Sequence, residues 1–262
     1  MLTLLGGRKH FLLYWEVVHD SFKALENVIV SFVDITDSQR TDRLEKWRAH
    51  ILEHVMQGAS LGDALGAVLS FEEEECPGTS SSVMLLDNEA RHLYTAEAPK
   101  LPEQFKDAIN GMTVCCNADS CDSAICVCGR HIVEDIQIHP NWKSARVAAA
   151  HAALHACWSE PIMNSAGLLL GVFSIFHNSA KVPATSDIEL MEYFARLAGV
   201  VIERHQAQKE LQCATMVYQA IGEAVLVTDQ NGLVVAVNSG FTKMVGYGQE
   251  EIIGQTSHDV QL

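Results

Sequence analysis

Basic residues are scarce in this sequence. Its 262 residues include 18 Lys and Arg against 33 Asp and Glu, which gives a formal net charge of −15 with His neutral. Such a charge repels nucleic acid and anionic membrane faces, so neither is an expected partner. Long apolar runs are also missing, and stretches such as Gly167 to Phe176 fall short of the roughly 20 residues that a membrane-spanning helix needs. We therefore expect no membrane segment within this chain.

The short motifs of common enzyme classes are absent as well. The chain has no G-x-S-x-G nucleophile elbow, no Walker phosphate loop, no H-E-x-x-H and no dinucleotide-binding glycine fingerprint. Its first residues lack the apolar stretch and small-residue cleavage site of a secretory signal. These absences predict a non-enzymatic protein with a cytoplasmic location.

Cysteine, by contrast, is abundant, with eight residues, five of which follow the spacing C-C-x4-C-x4-C-x-C. Thiolates bind zinc and iron–sulfur clusters, and a pair of thiols can act as a redox switch. No C-x-x-C pair is present, so the stretch matches neither zinc-ribbon nor ferredoxin spacing, and whether it binds a metal stays unknown. The five residues are Cys115, Cys116, Cys121, Cys126 and Cys128.

Hydrophobic periodicity predicts strands and two long helices. Two β-rich runs between Arg8 and Ile35 predict an antiparallel hairpin. Thr36 to Gln39 has the form of a capping box that begins a helix, and Thr185 or Ser186 is predicted to cap a second, longer helix. The first helix carries one apolar stripe at helical spacing, which consists of Leu44, Trp47, Ile51 and Val55.

Two shorter patterns concern the middle of the chain. Alternating apolar residues predict a hairpin whose strands are 156–163 and 168–176, joined by a turn at Asn164 to Gly167. The acidic run from Glu72 to Glu75 is predicted to be the solvated end of a helix rather than a cation site, because runs of like charge usually face water.

Both ends of the chain resemble parts of PAS domains. The C-terminal segment has the order and spacing of the first half of such a domain, with Thr228-Asp229, Asn231-Gly232, Val237-Asn238, Phe241 and Val245-Gly246-Tyr247. The N-terminal segment resembles the last strands of another, because Val33-Asp34-Ile35-Thr36 is followed by a charged helix.

The middle of the chain resembles a GAF domain through residues 130–142, 156–162 and 197–204. This resemblance implies an α+β fold, namely a GAF domain with a central antiparallel sheet flanked by helices and bracketed by partial PAS segments and connector helices. The implied organisation is the C-terminal part of a PAS domain at 1–36, a connector helix at 37–57, a GAF domain at 58–204, the end of a second connector helix at 205–216 and the N-terminal part of a second PAS domain at 217–262.

The resemblance also points to candidate ligand-pocket or redox residues. Cys121 and Cys157 lie at positions where the family often has cysteine, although Asp122 replaces a family glycine. Trp158 and Phe173 lie on predicted strands, and GAF sheets enclose a ligand pocket in some relatives; packing in the core is the alternative for both. The candidates are Cys121, Cys157, Trp158, Phe173, Cys115, Cys116, Cys126 and Cys128.

A bacterial PAS–GAF–PAS sensory protein is the function that this resemblance implies. It would receive a small-molecule or redox signal, pair as a homodimer through its connector helices and regulate an output domain outside this chain. Cyclic di-GMP synthesis or hydrolysis is the first expected output, and a histidine kinase of a two-component system is the alternative. A thiol-dependent reductase of free methionine sulfoxide and a purely structural spacer are further alternatives. The sequence identifies neither the ligand nor a cofactor.

Overall fold

A computed structural model describes the backbone of residues 10–19, 25–114 and 129–256. Contacts between residues divide the chain into two units, Met1–Val201 and Ile202–Leu262. None of the described helices combines the length and the apolar character needed to cross a membrane.

The elements of the first unit alternate between strands and helices. In chain order they are β1 (Phe11–His19), β2 (Leu25–Asp34), α1 (Thr36–Met56), α2 (Leu61–Glu75), β3 (Thr79–Leu86), β4 (His92–Glu97), α3 (Glu103–Ile109), β5 (Met112–Thr113), β6 (His131–Val133), α4 (Arg146–His151), β7 (Ala156–Met163) and β8 (Leu169–His177). The helix α5 (Thr185–Ala220) begins in the first unit and ends in the second. The second unit continues with β9 (Leu226–Thr228), β10 (Val234–Val237), α6 (Ser239–Val245) and α7 (Gln249–Ile252).

One six-stranded antiparallel sheet organises the first unit, in the order β5-β4-β3-β8-β7-β6. The mixture of this sheet with flanking helices confirms the predicted α+β class. The predicted hairpin in the middle of the chain is confirmed as β7 and β8, which pair along their whole length. On β8, Gly171 lies so close to β3 that an added Cβ would stand 2.1 Å from the Met84 carbonyl oxygen, so only glycine fits there.

The N-terminal hairpin is confirmed as well, and it exposes large apolar side chains. Leu13 pairs with Phe32 and Trp15 with Val30, and paired residues share one face of the ribbon. All of the large apolar residues described on that face are between 38% and 69% exposed. They are Phe11, Leu13, Trp15, Val28, Val30 and Phe32.

The predicted capping box at the start of α1 is wrong. Thr36 is already the first helical residue, and no side chain caps the helix. The Thr36 hydroxyl instead donates to Asp34 Oδ1 at 2.6 Å. The reason is local: the Asp34 carboxylate is a strong acceptor two residues away, and it engages the hydroxyl that a capping box would use.

The prediction of a solvated acidic run is wrong for two of its four residues. Glu72 and Glu73 are buried, because α2 extends to Glu75 and this part of the helix packs on β3. Thr79 Oγ1 on β3 donates to Glu72 Oε1 at 3.3 Å, and the Ser81 backbone N–H donates to Glu73 Oε1 at 3.1 Å. Charge alone therefore did not decide which face of the helix met water.

Aromatic rings join the three long helices of the first unit. Phe71 on α2 stacks on Trp47 of α1 with ring centroids 4.8 Å apart, and it meets the ring of Phe194 on α5 edge to face at 5.2 Å. Phe173 on β8 lies 6.1 Å from the Phe194 ring. The stripe predicted on α1 is partly confirmed, since Ile51 and Val55 are buried. This side of the sheet, packed by α1, α2 and α5, is called the helix face below.

A single side chain organises the second unit. The buried Asn238, at the start of α6, accepts hydrogen bonds from the backbone N–H groups of Val225 and Phe241, both at 2.9 Å. Its amide nitrogen donates to the carbonyls of Glu223 at 2.9 Å and of Ile221 at 3.2 Å. One asparagine thus holds the end of α5, the loop after it and the start of α6 in register.

We predict that Glu72→Gln raises the free energy of unfolding at neutral and alkaline pH. Burial raises the pKa of Glu72 to about 7 from 4.5, with Glu73 adding to the shift. Because the raised pKa belongs to the folded state, ionisation of Glu72 destabilises the fold as pH rises from below 4.5 through 7. The increase in the free energy of unfolding caused by Glu72→Gln should be near zero at pH 4 and reach about 3 kcal/mol above pH 8.

Denaturant unfolding followed across this pH range checks that prediction. Glu74→Gln is the matched control, since Glu74 lies on the same helix turn and is exposed. A gain for Glu72→Gln that is the same at pH 4 and pH 8 would contradict the predicted role of ionisation.

Candidate functional site

Side-chain alternation on β7 and β8 gives the sheet two different faces. Trp158, Phe173 and Ile175 point to the helix face, whereas their neighbours Cys157 and Phe176 point to the other side. That other side packs against Phe105 of α3 and Ala149 of α4, and is called the α3/α4 face below. The candidate functional site lies on the α3/α4 face.

A row of polar side chains crosses the α3/α4 face between apolar neighbours. The register pairs His131 on β6 with Ser159 on β7, Ser159 with Ser174 on β8, and Ser174 with Ser82 on β3. Since paired residues share a face, the four side chains form a line across four strands, called the polar row below. Ser159 Oγ and Ser174 Oγ are hydrogen-bonded at 2.9 Å, and all three serines are buried.

Four buried polar atoms on this face have no hydrogen-bond partner within the described part of the chain. Two belong to the polar row, Ser82 Oγ and His131 Nδ1. The others are Trp142 Nε1, in the same core, and Thr95 Oγ1, which sits opposite Met84 of that core. Buried polar groups are almost always satisfied by protein, water or ligand, so these four atoms single out the α3/α4 face as the candidate site.

The His131 imidazole is available as a neutral hydrogen-bonding group. Burial lowers its pKa, and the nearby His139 lowers it further. The two rings meet edge to face with centroids 5.5 Å apart. A neutral imidazole offers one donor and one acceptor, so His131 can bind either kind of ligand group.

Aromatic rings lie on the same face of the sheet as the polar row. Phe105 and Trp142 lie parallel with centroids 6.3 Å apart, and Phe176 meets the Phe105 ring edge to face at 5.3 Å. Apolar walls with a few convergent polar groups are the usual composition of small-molecule sites. Chemically, the arrangement can bind and orient a planar or apolar molecule that carries hydrogen-bonding groups.

Cys157 is the candidate residue that the structure places at this site. Its Sγ lies 3.5 Å from Ser159 Oγ, and it is fully buried. Burial raises the pKa of the Cys157 thiol to about 12, so the thiol stays protonated at physiological pH. Because the thiolate is the reactive form, these surroundings suit a small buried side chain better than a redox centre.

The structure does not bring Trp158 and Phe173 together with Cys157. Both lie on the helix face, where Phe173 packs against Phe194 and the Trp158 ring lies 4.0 Å from that of His177. A one-residue step along a strand reverses the direction of the side chain, so neighbours in sequence serve opposite faces. Their predicted roles in ligand binding stay predictions.

The predicted cysteine cluster lies outside the described residues. This applies to Cys115, Cys116, Cys121, Cys126 and Cys128, whose predicted role stays a prediction. Within the described ranges, no group of three or more His, Cys, Asp or Glu side chains could hold a metal ion.

Sequence reasoning missed the polar row. Part of its signal is nevertheless readable, because Ser174 interrupts an otherwise apolar run on a predicted strand. What periodicity could not supply is the register that sets them side by side. Ser82 and His131 join the row only through pairing with strands distant in sequence.

Comparison with protein families adds to this geometry. The family model for the GAF domain matches residues 49–203, well over half of the chain. This chain belongs to the GAF domain family. A second family model, that of the PAS fold, matches residues 215–261. The predicted GAF fold is thereby confirmed, while the exact domain boundaries and the N-terminal PAS part stay predictions.

Known proteins show the same relationship. The chain is 31% identical over 233 residues to the methyl sulfide methyltransferase-associated sensor of Methanosarcina acetivorans, a match that covers 87% of this chain and 23% of that protein. The chain thus spans about a quarter of that relative's length.

Two solved structures resemble the GAF domain in fold. One is a domain assigned to a two-component sensor histidine kinase protein of Sinorhizobium meliloti 1021, with a TM-score of 0.50, 17% identity, and 59% of this chain and 99% of that chain covered. The other is the GAF domain of a phosphoenolpyruvate-protein phosphotransferase of Coxiella burnetii. Its TM-score is 0.50 at 17% identity, and the match covers 64% of this chain and 96% of that chain. At this identity the likeness concerns the fold alone.

We predict opposite effects for two serine-to-alanine substitutions in the polar row. Ser82→Ala removes a buried hydroxyl without a partner and should raise the free energy of unfolding by about 1 kcal/mol. Ser174→Ala breaks the hydrogen bond with Ser159 and should lower it by about 1 kcal/mol. Urea unfolding of the two variants beside the wild type measures both; equal losses would contradict the unpartnered state of Ser82.

Proposed function

We propose that this chain is a sensory module in which the GAF domain binds a small molecule at the polar row and passes the signal on through α5. The observation that carries the proposal is the set of four unpartnered buried polar atoms on the α3/α4 face. Without a ligand, those groups are buried without hydrogen-bond partners, which costs free energy. A ligand that forms hydrogen bonds with them would remove that cost.

Arg130 supports a route from this face to α5. It directly precedes β6, the strand that carries His131 of the polar row. Its Nε lies 2.6 Å from Glu160 Oε2 on β7, and its other guanidinium nitrogen Nη2 contacts Glu192 on α5. A shift of β6 on ligand binding would therefore pull on α5 through a charged link.

The two long helices are also linked to each other. The Tyr193 hydroxyl on α5 donates to the Leu44 carbonyl of α1 at 2.9 Å, and the Phe71 ring lies between Trp47 and Phe194. The helix that enters the GAF domain and the helix that leaves it thus share one packed contact. Packed contacts of this kind have few alternative arrangements, which suits a two-state relay.

The second unit engages the far end of α5 by hydrogen bonds. The Ser239 backbone N–H donates to Gln219 Oε1 at 2.9 Å, and Asn238 Nδ2 donates to the Tyr218 carbonyl at 3.3 Å. Movement of α5 would therefore act directly on the PAS-fold segment that follows it. From there the signal would reach an output region outside this chain.

The N-terminal hairpin fits the end of a preceding PAS sheet. A two-stranded ribbon is marginally stable alone, and this one exposes a continuous apolar face that includes Trp15 at 69% and Phe32 at 61%. Residues 1–36 as the last part of a PAS domain, with further strands covering that face, account for both features.

Cyclic di-GMP synthesis or hydrolysis remains the first proposed output, and a histidine kinase is the second. The curated relative is a sensor by name, which supports signalling and does not choose between these outputs. Two assays on the full-length protein distinguish these outputs. Transfer of labelled phosphate from ATP to the protein would show a histidine kinase, and synthesis of cyclic di-GMP from GTP or its hydrolysis would show the first output. The third candidate, reduction of free methionine sulfoxide, needs reactive thiols, and the high pKa of Cys157 offers none at that position.

The ligand experiment uses the small-molecule fraction of a cell extract as the probe. We expect it to raise the melting temperature of the wild-type chain, and we expect Ser174→Ala to lose at least half of that rise. Glu74→Gln, exposed on α2, is the control and should keep the full effect. An extract that shifts the wild type and Ser174→Ala equally would exclude the polar row as the binding site.

We predict that Leu211→Glu weakens self-association if the chain forms the proposed homodimer through its connector helices. Leu211 is 69% exposed on α5, and burying one such side chain from each copy contributes about 3 kcal/mol, or roughly a hundredfold in the dimer Kd. Gln206→Glu, exposed on the same helix, is the control for added charge. Sedimentation equilibrium measures both, and a wild-type chain that stays monomeric at high concentration contradicts the homodimer.

A further inference from the structure

A second cavity lies on the helix face, on the side of the sheet opposite the polar row. It has a volume of about 470 Å³ and is formed where the turn between α2 and β3 meets the end of β8 and the loop leading to α5. This volume falls within the range of small-molecule sites. The residues that concern its chemistry are Cys76, Thr79, Trp158, His177, Lys181 and Asp187.

The inner wall of this cavity includes aromatic and aliphatic side chains beside polar ones such as Thr79. Trp158 and His177 pack with ring centroids 4.0 Å apart, and Ile175 lies beside them. His177 is only 6% exposed, and its Nε2 has no hydrogen-bond partner. Burial, reinforced by Lys181, lowers the pKa of His177 to about 4, so the ring is neutral at physiological pH and can take part in a hydrogen bond without charge.

The mouth of the cavity carries one positive and one negative group. Lys181 Nζ lies 3.7 Å from Asp187 Oδ2 and 4.9 Å from the centre of the Trp158 ring. A separation of 3.7 Å is longer than a charge-assisted hydrogen bond, so the two groups attract each other and still leave hydrogen-bonding positions open. Their side chains are 46% and 28% exposed, within reach of a ligand.

The other polar groups at the mouth add no unbalanced charge. The Glu75 carboxylate is paired with Arg43 of α1, whose Nε stands 2.7 Å from Oε1. Burial raises the pKa of the Cys76 thiol to about 12, so it stays neutral. The cavity therefore favours a ligand that brings both charges and an apolar body, because an ion of one sign would meet its like charge on Lys181 or Asp187.

We propose that this cavity binds a free α-amino acid with an apolar or aromatic side chain. The amino acid's carboxylate pairs with Lys181, its ammonium group pairs with Asp187, and its side chain packs against the Trp158 ring. The site is independent of the polar row and would give the module a second input.

The first test is isothermal titration of the whole chain with three compounds that share one side chain. L-Phenylalanine carries both charges, L-phenylalaninamide lacks the carboxylate, and 3-phenylpropanoate lacks the ammonium group. We expect L-phenylalanine to bind and each analogue to bind at least about tenfold more weakly, as expected for the loss of one charge-assisted contact. No heat with millimolar L-phenylalanine and L-leucine, or equal affinity for all three compounds, overturns the proposal.

The second test assigns the two charges. Lys181→Gln should remove the preference for L-phenylalanine over its amide, and Asp187→Asn should remove the preference over 3-phenylpropanoate. Lys143→Gln, an exposed lysine outside the cavity, should leave both preferences intact. Preferences that survive both cavity variants overturn the assignment, as does their loss in Lys143→Gln.

Discussion

The alternation of side chains along β7 and β8 is the constraint on which the rest of this structure depends. These strands lie inside the sheet, so both of their faces are covered and every second residue serves a different environment. One step along the chain separates Cys157, in the core of the α3/α4 face, from Trp158, in the cavity of the helix face. The same step separates Phe176 from His177. Two chemically distinct environments thus arise from one pair of strands.

Burial of polar groups distinguishes the two faces. On the α3/α4 face, serine hydroxyls and a neutral histidine lie among apolar residues, and two of their atoms, Ser82 Oγ and His131 Nδ1, lack partners within the described part of the chain. On the helix face, charged residues are buried or half-buried with specific partners, as Lys100 Nζ at 2.9 Å from Glu73 shows. A buried neutral group can remain without a hydrogen-bond partner until a ligand binds, whereas a buried charge without a partner would cost far more free energy. For Glu72, burial raises the pKa to about 7, so protonation near neutral pH removes the charge.

The connecting helices are part of the domains rather than linkers between them. α5 contributes Phe194 to the aromatic contact with Phe71, and the Tyr218 carbonyl in its last turn accepts a hydrogen bond from Asn238 Nδ2. Both contacts lie on one helix, which is the connector of the sensory module proposed above.

The local pattern of apolar and polar residues by itself determined the main strands and helices of this protein. The N-terminal hairpin, the hairpin of β7 and β8, and the long helix from Thr185 follow from period-two and helical spacing, which a single sequence displays. Residue order and spacing also carried the resemblance to GAF and PAS domains. The capping box at Thr36 failed because a neighbouring carboxylate competed for the hydroxyl.

Only the tertiary structure decided which residues meet. The polar row needs the register of four strands, and its four members lie on strands from different parts of the chain. The burial of Glu72 depends on where β3 lies against α2, and the cavity at His177 depends on two loops that converge from different parts of the chain. Composition indicates how many polar and charged groups exist, but desolvation and pairing are set by packing, and packing is a property of the folded chain.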